Sequence, residues 1–289
     1  MSCTRIFVRQ YLPVLLSLLS VAAFVAPARA IFESFSAAGN TTAASIQGTV
    51  DTFRAALGNP NNVNAAGPLA GGRREINWDG GGALVSASAG TPFIGFQNTR
   101  GATFTTPGTG FLQTPLVDPT FAAINATYAT TFSTFSNLRI FTPVGSNVTD
   151  VTFSLPGSSG AIPATVGGFG AVFSDVDLQA TTTIQFFDVD DNSLDTFNVP
   201  PQSPATTAPH GGLSFFGAIG NAGERIARVR ITTGNTALGP NDQNGDNPDV
   251  VVMDDFLYDE PEVLIPEPAT AALAAIGLAA LVLTARRQN

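Results

Sequence analysis

The side chains with the most chemical capacity in this sequence are its acids, and they are densest at Asp242-Gln243-Asn244-Gly245-Asp246-Asn247-Pro248-Asp249. Carboxylate and amide oxygens this close together are the hard donors that calcium takes up in flexible coordination shells. Asp242, Asn244, Asp246 and Asp249 are therefore candidate metal ligands, with calcium as the expected ion. The spacing is not that of an EF-hand, because the glycine stands fourth rather than sixth and no glutamate follows at the twelfth position. The plain alternative is a polar loop between a strand ending at Thr232 and one starting at Val250. A second acidic run, Asp188 to Asp195, offers oxygens too, but Asp and Asn between two β-rich stretches are what a hairpin turn requires. Asp254 and Asp255 are consecutive on an expected strand, which puts their side chains on opposite faces. Either one, if buried, needs a cation or a donor such as Arg225, since an unpaired buried carboxylate is costly.

Other chemistries are narrowed by what is absent. The 13 basic residues are all arginine, so a P-loop lysine, a Schiff base and a Ser-Lys dyad are excluded. His210 is the sole histidine, in Ala208-Pro209-His210-Gly211-Gly212, which reads as an exposed loop, and no Gly-x-Ser-x-Gly is present. Cys3 is the only cysteine. Glycoside hydrolysis needs only two acids at the right separation, and Glu75, Asp79 and Glu224 are candidates, but their spacing singles out no pair. No catalytic activity is expected. Sugar rings stack on Trp or Tyr, which makes Trp78 a candidate ligand platform, beside Tyr128 and Tyr258. Arg228 and Arg230 share one strand face, which suits an acidic polysaccharide or simply water. Five arginines (Arg5, Arg9, Arg29, Arg286 and Arg287) and one acid, Glu267, lie in the two end segments. The middle therefore carries eight arginines against 21 acids, a balance that argues against nucleic acid as a partner.

These side chains need a scaffold, and 44% hydrophobic residues against 12% charged ones can build a core. Ile46, Val50, Phe53 and Leu57 recur at helical spacing and Gly58-Asn59-Pro60 stops the run, predicting one short helix. Short strands are expected at 74–78, 139–142, 150–155, 168–173, 183–188, 194–199, 213–218, 226–232 and 250–258. Val151, Phe153 and Leu155 alternate along one of them and Ile184 and Phe186 along another, so each offers an apolar face to a shared core. Many short strands with little helix predict a mainly β chain, a β-sandwich over 31–262.

The ends read differently. Arg5 and Arg9, the apolar stretch from Leu12 to Val25 and Ala28-Arg29-Ala30 form a signal peptide over 1–30, with cleavage expected after Ala30. From 263 onward come Pro266-Glu267-Pro268, an apolar transmembrane helix over 269–285 and Arg286-Arg287. At ~1.5 Å per residue that helix is about 25 Å long, just enough to span a bilayer. The terminal arginines stay cytoplasmic and the bulk of the chain lies outside.

This order of Pro-Glu-Pro, short apolar helix and basic end resembles the PEP-CTERM sorting signal of exported proteins in Gram-negative bacteria that make extracellular polysaccharide. The resemblance implies an exosortase-type processing enzyme as partner and an inner-membrane-anchored precursor. It also implies a final place at the cell surface or in the matrix, near exopolysaccharide. The second half resembles jelly-roll or choice-of-anchor-type modules through Gly168-Phe169-Gly170-Ala171-Val172-Phe173, the hairpin from Phe186 to Phe197 and Met253-Asp254-Asp255-Phe256. That likeness implies a structural calcium on Asp254 or Asp255. The function expected is that of an exported structural or binding protein, or of a calcium-dependent carbohydrate-binding module.

Overall fold

Where apolar residues recur one helical turn apart, a helix forms. Helix α1 (Ala44–Leu57) buries Ile46, Val50, Phe53 and Leu57, the four residues whose spacing predicted it, and ends at Gly58 with φ +111°. The computed structural model describes residues 30–80, 87–115, 120–202, 210–240 and 247–263. The expected leader up to residue 29 and the tail from 264 lie outside the described residues. So do Pro266, Glu267, Pro268, the 269–285 helix, Arg286, Arg287, Asp242, Asn244 and Asp246. Among the described residues no helix is long and apolar enough to cross a membrane.

Strand β1 (Phe32–Ala38) precedes α1, and β2 (Arg73–Ile76), β3 (Ala87–Ala89) and the one-turn helix α2 (Gln97–Arg100) follow it. Next come β4 (Ala102–Thr105), β5 (Gly110–Gln113), β6 (Phe141–Val144), β7 (Val148–Ser154) and β8 (Pro163–Ala164). The last six are β9 (Gly168–Ser174), β10 (Thr183–Phe187), β11 (Ser193–Asn198), β12 (Leu213–Gly220), β13 (Arg228–Thr232) and β14 (Val252–Asp259). All nine expected strands form, each within two residues of its predicted ends; β1, β3, β4, β5 and β8 were not foreseen.

Two antiparallel sheets result. The larger runs β1-β12-β9-β14-β6-β5-β3 with β2 paired to β14, and the smaller runs β11-β10-β13-β7-β4 with β8 on β7. Their inner faces share one apolar core. The larger sheet contributes Phe141, Phe169, Phe173, Met253 and Phe256, and the smaller contributes Phe104, Val151, Ile184, Phe186 and Val229. The chain is thus mainly β, a sandwich of two sheets. Helix α1 covers the outer face of the larger sheet, packing on Val172, Leu213, Phe215 and Leu257. Strand β9 is therefore buried on both sides, which is why it is apolar or small throughout rather than alternating. Gly170 and Gly217 face each other on β9 and β12, and a Cβ at either would come 2.7 or 2.8 Å from the Phe53 ring. Their lack of a side chain is what lets that ring lie on the sheet.

The loop ahead of β2 is pinned from inside. Arg74, fully buried, makes a two-pronged pair with Glu260 through bonds of 2.6 Å from Nε and Nη2, and its Nη1 donates to the carbonyls of Val63 and Ala65 at 2.8 Å. Such a buried pair is stable only when its remaining hydrogen bonds are also made.

Candidate functional site

Strand β9 ends at Ser174, and the chain leaves the sheet through Asp175, whose φ is +72°. Asp175 is 3% exposed, and its Oδ1 accepts from Gly211 N at 2.7 Å. Its Oδ2 lies 3.7 Å from Nδ1 of His210, which sits on the segment leading into β12. Because β9 and β12 are paired neighbours, the end of one and the start of the other come together. Asp177, two residues along, accepts from the Gln202 amide, and Gln202 Oε1 in turn accepts from Gly212 N at 2.6 Å. One ligand atom from each of Asp175, Asp177 and His210 lies within 4.8 Å of the other two, so the cluster could hold a metal ion. The three line a cavity of about 150 Å³ walled also by Tyr128 and Thr131. Burial pushes the Asp175 carboxyl up to about 8, with the nearby Asp177 and Asp249 charges adding to it and the Gly211 N–H opposing it. Burial also raises Asp177, against the Gln202 bond and the His210 imidazole.

No family model, curated protein or solved structure matches the chain.

What the cluster can do follows from its donors: two carboxylates and an imidazole, in a polar niche at the loop end of the sandwich. Neither Asp175 nor Asp177 stands out in the sequence, and His210 reads there as an exposed loop residue. The structure bears that reading out, with His210 an exposed loop side chain, and adds that its Nδ1 lies beside the buried Asp175. The only available signal was an Asp-Val-Asp immediately after the apolar run of β9, and nothing in the spacing tied it to a histidine 35 residues later.

Of the expected metal ligands, Asp249 is buried beneath this niche. It accepts from Asp177 N at 3.0 Å and from the Thr181 hydroxyl, while its own N–H donates to Asn235 Oδ1 at 2.8 Å. Its oxygens thus hold the 177–181 turn in place. Asp254 and Asp255 depart from expectation. In the pairing with β9, Met253 faces Phe173 and Phe256 faces Ala171, so the two acids together oppose the single residue Val172. This β-bulge cancels the alternation that would have sent them to opposite faces. Ser136 Oγ donates to both, at 3.2 Å to Asp254 and 2.6 Å to Asp255, and Phe135 N donates to Asp254 at 2.7 Å. The cation beside them is Arg54, 3.3 Å from Asp255, whereas Arg225 pairs with Asp259 and Glu262. Burial, and then the adjacent Asp255 charge, raise Asp254 well above the carboxylate range.

Trp78 is no ligand platform. It is fully buried, stacked at 3.6 Å on Phe141, with Nε1 donating to the Asp254 carbonyl at 2.9 Å. Tyr128 and Tyr258 are buried as well. Asp188 is the turn residue the sequence suggested, accepting from the backbone N–H groups of Asp190 and Asn192 at 2.9 and 2.8 Å. Arg228 and Arg230 both bond Asp150, and Arg228 also lies 3.6 Å over the Phe187 ring. Glu75 bonds Arg54 at 3.0 Å and Arg73 at 2.6 Å beside a second polar cavity of about 330 Å³. Asp79 accepts from the backbone of Leu138 and Arg139, and Glu224 from that of Ile31 and Ala222.

Proposed function

We propose that the chain is an exported surface or matrix protein whose jelly-roll-like sandwich binds rather than catalyses, using a cation held by Asp175, Asp177 and His210. In this reading the 269–285 helix anchors a precursor in the inner membrane, and an exosortase-type enzyme cuts near Pro266-Glu267-Pro268. The observation that carries the binding site is the convergence of the three ligand atoms within 4.8 Å. An imidazole beside two carboxylates favours manganese or zinc, because calcium prefers an all-oxygen shell. Calcium is left to the Asp242, Asn244 and Asp246 oxygens of the loop that leads into Asp249. Support for binding over hydrolysis comes from Glu75, Asp79 and Glu224, each engaged by arginines or backbone amides rather than aimed as a pair at one cleft. With the aromatic rings buried, contact with exopolysaccharide would run through the cation and its polar rim.

The test is thermal melting of the full chain in detergent with manganese, zinc, calcium or chelator, on the native protein and an Asp177→Ala variant. A cation that binds only the folded state at ~100 times its Kd stabilises by about 2.7 kcal/mol. We expect a higher Tm in manganese or zinc for the native chain and none for the variant. Equal melting in every condition would overturn the cation site. Release of reducing ends from the host's exopolysaccharide would overturn the non-catalytic reading.

A further inference from the structure

The backbone nitrogen just ahead of strand β1 has a charged partner. Ile31 N donates to Glu224 Oε1 at 2.7 Å, and Glu224 Oε2 accepts from Ala222 N at 2.7 Å. Asn221 N donates to the Ile31 carbonyl at 2.8 Å, and β1 then pairs with β12 without a break from Phe32 opposite Gly220 to Ala38 opposite Ser214. The Ile31 side chain is 58% exposed, so the residue is held by its backbone and not by packing. Arg225, next to Glu224, is turned to Thr165, Asp259 and Glu262. Among the described residues no arginine is bonded to Glu224, and its carboxylate faces a neutral amide.

The residues immediately before are Ala28-Arg29-Ala30, whose alanines place small side chains at the two positions a leader peptidase reads. We propose that Glu224 is the receptor for the mature amino terminus: cleavage between Ala30 and Ile31 creates an α-ammonium that pairs with the Glu224 carboxylate already in contact with that nitrogen. The step is hydrolysis. Water adds across the peptide bond, Ala30 leaves with a carboxylate, and the Ile31 nitrogen takes up protons to become the ammonium. A hydrogen bond from a neutral amide to a carboxylate becomes an ion pair with a cationic donor, so processing tightens the first strand against β12. The proposal rests on the export reading and deepens it.

The chain contains no lysine, so after cleavage the α-amine is its only primary amine. That makes the test clean. The full chain is expressed in a Gram-negative host, the exported form is sequenced from its amino terminus, and acylation by an amine-reactive ester is followed against pH for the native chain and Glu224→Gln. We expect a first residue of Ile31. We also expect the native amine, whose ordinary pKa is about 8, to titrate about one unit higher and react about ten-fold more slowly at neutral pH than in the variant. The glutamine keeps an acceptor oxygen, and Trp78 fluorescence verifies that the variant is folded. A chain that starts at Ile31 and reacts at the same rate with and without Glu224 overturns the capture while leaving export standing. An exported chain that is uncut, or begins elsewhere, also overturns the capture alone, whereas a chain that stays inside the cell with its leader attached overturns both.

Discussion

Burial raises Asp254 well above the carboxylate range, and its partners say what replacing it should do. Its oxygens accept from Phe135 N and Ser136 Oγ, and the Asp255 carboxyl stands beside it. An amide has the same shape, accepts the same Phe135 bond and donates where the acid donates. Asp254→Asn is therefore expected to change stability by less than about 1 kcal/mol, whereas Asp254→Ala, which strands a buried N–H, should cost about 2 to 4 kcal/mol. Urea denaturation at neutral pH separates the two, and an Asn variant as damaged as the Ala variant would show that the residue is ionised. Asp259 gives a pH signature instead. Its Oδ1 accepts from Gly167 and Gly168 at 2.7 and 3.1 Å, and burial pushes it up to about 6 against the pull of Arg225. A carboxyl raised in the folded state favours folding fully below its unfolded value, near 4, and loses that contribution as pH rises through about 6. The stability of the native chain relative to Asp259→Asn should thus fall by at most about 3 kcal/mol between pH 4 and 7. A difference that stays constant across that window would refute the assignment. These acids also mark where sequence reading stopped. Their burial and need for a donor were legible, but the faces they occupy were not, because alternation assumes an unbroken ladder and β14 contains a bulge.

At the scale of elements, local patterning was informative wherever one face of an element meets the core. The spacing of Ile46, Val50, Phe53 and Leu57 was enough for α1, and Val151 with Phe153 was enough for β7. Of the five unforeseen strands, β4 carries that signature over only four residues, with Ala102 and Phe104 buried on one face, which is too short to stand out, while β1 lacks it. β1 reads Phe-Glu-Ser-Phe-Ser-Ala-Ala and places Phe32 against the inner core and Phe35 against α1, so no period of two is visible. The cation cluster was illegible for a related reason: it is assembled from the end of β9 and the start of β12, whose proximity is a property of sheet order and not of any local motif. The contact that seats α1 is testable in itself. Gly217→Ala would put a methyl 2.8 Å from the Phe53 ring. We expect a loss of about 1 to 3 kcal/mol from this overpacking. Pairing it with Phe53→Leu should recover part of that loss, since residues in contact couple by about 0.5 to 3 kcal/mol. Strict additivity in a urea double-mutant cycle would mean that the ring does not rest on these glycines.

At the scale of the molecule, the two sheets are joined by one core, and Trp78 stands at their junction. Its ring stacks on Phe141 of β6 and meets Phe256 of β14 edge-on at 5.3 Å, both from the larger sheet. It also meets Phe104 of β4, in the smaller sheet, at 5.1 Å. Unfolding followed by indole emission and by far-ultraviolet circular dichroism should then give coincident transitions. Separate midpoints would mean that the sheets come apart independently. The native emission should be blue-shifted and indifferent to iodide. Since this is the only tryptophan in the chain, the protein carries its own optical gauge: a single chromophore, installed at the seam, that goes dark to quenchers when the sandwich is closed and becomes visible to them the moment either sheet lifts away.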